Sequence, residues 1–103
     1  MGLNLSGLTS LQMQKSIHSE NYQHFLRELK AMREAAGMTQ AQLAEALEEH
    51  QTLVSKVERG VRRLDVVELR LWLQALGVPF PEFCRQLDER LLRNSRPAGI
   101  KKR

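Results

Sequence analysis

One helix-start signal occurs twice in this chain and constrains its fold more than any other feature. Thr39 stands three residues before Gln42, and Asp65 three before Glu68, so each pair can exchange side-chain and backbone hydrogen bonds as a capping box. Met38 with Leu43, and Leu64 with Leu69, supply the hydrophobic staple across each start. Helices are therefore expected to begin at both places. Gly37, Gly60 and Gly77 each follow a helical apolar period. Each is placed to take the left-handed conformation that closes a helix.

Between these signals the apolar residues recur at helical spacing. Tyr22, Phe25, Leu26, Leu29, Met32 and Ala36 mark a first helix over 21–36, stopped by Gly37. A second helix, with Leu43, Ala44 and Leu47 inward, is expected to end near Glu48. A third, of about two to three turns, carries Val54 and Val57 inward, behind His50, which is a weak cap when neutral. In the fourth, Val66, Leu69, Trp72, Leu73 and Leu76 share one face while Val67, Leu71 and Ala75 share another. One core cannot bury both. Pro79 and Pro81 introduce a fifth helix with Phe83, Leu87 and Leu91 at i, i+4, i+8. Cys84, on the same side as Leu87 and Leu91, is expected to be a small buried hydrophobe. The expected fold is all-α: an N-terminal arm (1–20), a body of four helices (21–78), a C-terminal helix (79–95) and a basic tail (96–103).

Composition narrows the function classes. With 42% hydrophobic and 27% charged residues, the chain fits a soluble globular domain and neither a disordered nor a membrane protein. No apolar run reaches the ~20 residues a bilayer requires. A lone cysteine forms no internal disulfide, and His18 and His24 have no partner at ligand spacing, so no metal or cofactor is expected and the chain fits a cytoplasmic setting. No nucleophile, base and orienting residue can be grouped, so no enzymatic activity is expected. The net charge of +4 equals that of the tail residues Arg96, Lys101, Lys102 and Arg103. The body can therefore bind anions only where a few cations are placed locally.

Two short helices joined by a tight link, the second ending in glycine and followed by basic residues, have the layout of a helix-turn-helix. Gly37-Met38-Thr39-Gln40, Leu43-Ala44-Glu45-Ala46-Leu47 and Val54-Ser55-Lys56-Val57-Glu58-Arg59-Gly60 closely resemble the Cro and phage-repressor type helix-turn-helix family, also called XRE, over about residues 22–78. The resemblance implies a five-helix lambda-repressor-like DNA-binding domain. It also implies that Gln40 contacts phosphate and braces Gln51, and that Arg33 pairs with Glu58 to tie the first helix to the third.

From the residues themselves, Gln51, Thr52, Ser55 and Lys56 form the outward side of the third helix. Their amide, hydroxyl and ammonium groups match base edges in the major groove. Gln40, Arg59, Arg62 and Arg63 are placed to grip the DNA backbone, which adds affinity without sequence information. Two departures stand out. Glu48 replaces the family's usual glycine, so the turn is expected to differ in shape or to lengthen the second helix, and Glu48 with Glu49 places two carboxylates where they repel phosphate.

A single helix-turn-helix reads about half an operator, and family members bind as twofold dimers on half-sites about 34 Å apart. Val67, Leu71, Ala75, Phe83, Leu87 and Leu91 form the expected dimer surface. The alternative is that the fifth helix folds back within the monomer. The function expected is a sequence-specific DNA-binding transcriptional regulator, a repressor acting as a homodimer on palindromic double-stranded DNA. The alternative is a protein-interaction module, such as an antitoxin or cofactor partner, whose surface Glu48 and Glu49 have turned away from DNA.

Overall fold

The computed structural model describes residues 19–94, which form five α-helices with no strand among them. They are α1 (Glu20–Ala35), α2 (Gln40–Leu47), α3 (Gln51–Glu58), α4 (Val66–Leu76) and α5 (Phe80–Asn94). The expectations for 1–18 and 95–103, most of the arm and all of the basic tail, lie outside the described residues. Helix α1 starts at Glu20, inside the expected arm, because the Ser19 hydroxyl accepts from the Tyr22 amide at 3.0 Å.

Both capping boxes form. Thr39 Oγ1 accepts from the Gln42 amide at 3.0 Å and Gln42 Oε1 from the Thr39 amide at 2.9 Å. Asp65 Oδ1 accepts from the Glu68 amide at 2.7 Å and Glu68 Oε1 from the Asp65 amide at 3.0 Å. Helices α1 to α4 all close with one hydrogen-bond pattern, a left-handed residue flanked by crossed backbone bonds. At α3, Gly60 N bonds Val57 O at 3.0 Å and Val61 N bonds Lys56 O at 2.8 Å. Gly60 has φ +79, a conformation that favours glycine, and a Cβ there would stand 3.1 Å from Leu26 Cδ1, so any larger residue would also need the Leu26 side chain to give way slightly.

The core gathers one face of every helix: Leu29 from α1, Leu43 and Ala44 from α2, Val54 and Val57 from α3, Trp72, Leu73 and Leu76 from α4, and Phe83 from α5. Full burial of a Leu, Val or Phe contributes about 1.5–3 kcal/mol, so this cluster holds the short α2 and α3 in place, which eight residues each could not do in isolation.

Three expectations are corrected. Phe83, assigned to a dimer surface, is 0% exposed because α5 folds back on the body, with its ring edge-on to Phe25 at 6.0 Å between centroids. Cys84 is exposed, since the helix turns its neighbour Phe83 inward. Val66 is also exposed, because the first turn of α4 runs past the edge of the core. Arg90 Nε, 3.1 Å from Glu28 Oε1, adds an ion pair between α5 and α1. No helix among the described residues is long and apolar enough to cross a membrane.

Candidate nucleic-acid interface

Helix α3 owes its position to its inward residues. Val54 and Val57 are fully buried against α2 and the rest of the core. Gln51, Thr52, Ser55, Lys56 and Arg59 therefore fall on the opposite arc, spanning about 140° at 3.6 residues per turn. Gln51, Thr52 and Lys56 are exposed, while Ser55 is half-buried and its Oγ accepts from Arg59 Nε at 3.2 Å. Three of the four expected base-reading side chains thus stand open, and the fourth is tied to a cation one turn later.

The turn before α3 corrects both expected outcomes of the missing glycine. Helix α2 ends at Leu47, and Glu48 itself takes the left-handed conformation at φ 59, ψ 43. Glu48 N bonds Glu45 O at 3.0 Å and Glu49 N bonds Ala44 O at 2.9 Å, so the closing pattern survives with a glutamate in the glycine's place. Glu48, Glu49 and His50 are exposed, and no side-chain hydrogen bond caps α3.

At its other end α3 is locked by a buried cluster. Arg33 Nε donates to Glu58 Oε2 at 2.6 Å and Nη2 donates to Oε1 at 3.0 Å, with the two side chains 8% and 4% exposed. Arg33 Nη1 also donates to the Met38 carbonyl at 2.7 Å. The hydrogen bonds from its guanidinium to Glu58 push the Arg33 pKa upward, so the group stays charged. Gln40 Nε2 donates to Glu58 Oε1 at 2.9 Å. Gln40 is thus engaged with Glu58, where the family resemblance implied bracing of Gln51, and it fastens the start of α2 to the end of α3.

The expected backbone-contacting arginines differ in their surroundings. Arg59 is exposed on the α3 face. Arg63 is exposed with its guanidinium 5.3 Å from the centroid of the Tyr22 ring. Arg62 Nη2 donates to Glu68 Oε2 at 2.8 Å and Nη1 to the Arg63 carbonyl at 3.1 Å. Its charge is therefore largely balanced by the same carboxylate that completes the α4 capping box. Sequence reading missed this dual use of Glu68. The capping signal was local, whereas the ion pair depends on how the loop after Gly60 folds back.

Of the expected dimer surface, Val67 and Leu71 are 66% and 51% exposed on the outer face of α4. Ala75 and Leu87 are half-buried against the core, Leu91 is half-buried, and Phe83 lies inside. The α4 stripe therefore stays open although α5 folds back.

A helix-turn-helix family model matches residues 29–83, which is more than half of the chain. Among solved structures, an XRE-family like protein from Pseudomonas syringae pv. tomato str. DC3000 is similar. It is 38% identical with a TM-score of 0.67, and the alignment covers 75% of this chain and 94% of that one. A point mutant of the restriction-modification controller protein C.Esp1396I is also similar, at 30% identity and a TM-score of 0.66, over 72% of this chain and 94% of that one. No curated protein matches the chain.

Proposed function

The chain belongs to the helix-turn-helix family, of the XRE type, and from that premise we propose that this DNA-binding transcription regulator is a repressor that binds a palindromic operator as a homodimer in the cytoplasm. The observation that carries the reading is the face of α3, where Gln51, Thr52 and Lys56 are exposed together on a helix held by Val54, Val57 and the Arg33–Glu58 pair. Gln51 is suited to an adenine edge and Lys56 to guanine O6 and N7. Arg59 and Arg63 supply phosphate contacts beside it, and the Gln40 amide stands at the first position of α2, where free backbone N–H groups favour an anion. The similar restriction-modification controller protein supports a role in transcription control.

Dimerisation is assigned to Val67 and Leu71 on α4, with Ala75 at their edge, since these leave an apolar strip open to water. Phe83 is excluded by its burial, and Leu87 and Leu91, half-buried on α5, are left out of the proposed interface.

Exposure of Glu48 and Glu49 at the turn favours a second reading, a protein-interaction module with weak or lost DNA binding. A mobility shift over a salt series separates the two. A regulator gives a sequence-dependent band whose affinity falls steeply with salt, whereas an interaction module gives only binding that disappears when residues 96–103 are deleted.

A further inference from the structure

An apolar groove of about 410 Å³ opens between the start of α1, the start of α4 and the far part of α5. Tyr22, Phe25, Leu64, Leu69, Leu87 and Leu91 line it, and Arg63 lies at the same opening. Phe25, Leu64, Leu69 and Leu87 also pack against the core, so the groove is the core's open edge. A volume within the ~300–1,000 Å³ range of ligand pockets, lined this way, favours an apolar occupant.

We propose that residues 1–18 of the same chain fill this groove. Ser19, the residue to which that segment is joined, is itself a lining residue, as are Asn21 and Tyr22. The segment therefore meets the groove at its point of attachment, and its covalent link raises its effective concentration there. Its composition fits the lining. Leu3, Leu5, Leu8, Leu11, Met13 and Ile17 are apolar, and Lys15 is its one formal charge. A segment with so few cations is poorly suited to DNA phosphates, which leaves an apolar surface as its natural contact. Seating leucines there covers the exposed edge of the core and braces the start of α1 against α4 and α5.

The test uses the full chain with Leu3, Leu5, Leu8 and Leu11 all changed to Ser, which leaves every described residue intact. Expected are about a twofold or greater rise in the fluorescence of an apolar-surface dye and a fall in Tm of about 4 °C or more, with the sedimentation coefficient of the assembly unchanged. Leu91→Ala then lowers Tm in the wild-type arm more than in the substituted arm, because the two changes share one contact. Equal dye binding and Tm in wild type and the fourfold variant overturn the proposal. A shift to a smaller assembly in the fourfold variant also overturns it, since the arm then contacts a second copy.

Discussion

Arg33 and Glu58, twenty-five residues apart in sequence, meet in a two-point ion pair between the end of α1 and the end of α3, with Nε–Oε2 at 2.6 Å and Nη2–Oε1 at 3.0 Å. Glu58 accepts a third bond from Gln40, so one carboxylate joins three helices at the back of the recognition surface. A pair this buried gains little over an apolar pair of the same shape, but losing one partner strands a charge.

Arg33→Met is accordingly expected to destabilise the fold by about 3–5 kcal/mol. Arg33→Met combined with Glu58→Leu should cost less than either single change. Urea unfolding of the three variants checks this. A strictly additive double variant would contradict it.

Glu48 occupies a left-handed conformation that Gly37, Gly60 and Gly77 occupy at the other helix ends. Glu48→Gly should raise stability by about 0.5–1 kcal/mol through relief of backbone strain. It also removes a carboxylate from the edge of the recognition surface, so DNA affinity at low salt should rise. Glu48→Gln separates the effects, raising affinity without the gain in stability. Thermal unfolding and a binding titration read the two quantities.

The Arg62 guanidinium, and secondarily the Asp65 amide, hold the Glu68 carboxyl below its ordinary value of 4.5. A carboxylate with a depressed folded pKa stabilises the fold above its unfolded pKa, and that contribution disappears as pH falls through the folded value. Glu68→Gln keeps the capping geometry and loses the ion pair. Its Tm deficit relative to wild type should therefore be full above about pH 5 and vanish in strong acid. The pair is more than a third exposed, so the deficit is small.

Leu71→Glu on the outer face of α4 should leave the helical circular dichroism unchanged and shift sedimentation from dimer to monomer. Val67→Glu should do the same. A variant that remains dimeric would move the interface elsewhere.

The helix ends were legible in the sequence because their signals are local: Thr39 with Gln42, Asp65 with Glu68, and glycine at 37, 60 and 77. The inward residues of α3 were legible for the same reason, since Val54 and Val57 define a face by spacing alone. Docking was harder to read. The stripe Phe83, Leu87, Leu91 shows that α5 has an apolar side but not what that side meets, and burial of Phe83 against Phe25 depends on a fold-back of the chain. Arg62 offered no local sign that Glu68 would hold it, and Gln40 none that it would turn to Glu58. Glu48 was read from its intrinsic reluctance to turn left-handed, but backbone closure around α2 overrides that preference.

Selection of duplex sequences from a random pool by the full chain, run in parallel with Gln51→Ala and Lys56→Ala, tests the recognition face most directly. Expected is enrichment of one twofold-symmetric sequence by the wild type, with each variant binding it about 1–3 kcal/mol more weakly and losing preference at one base step per half-site. Failure to enrich any sequence, or variants that select the same sequence with undiminished affinity, would contradict the assignment of α3 as the reading element.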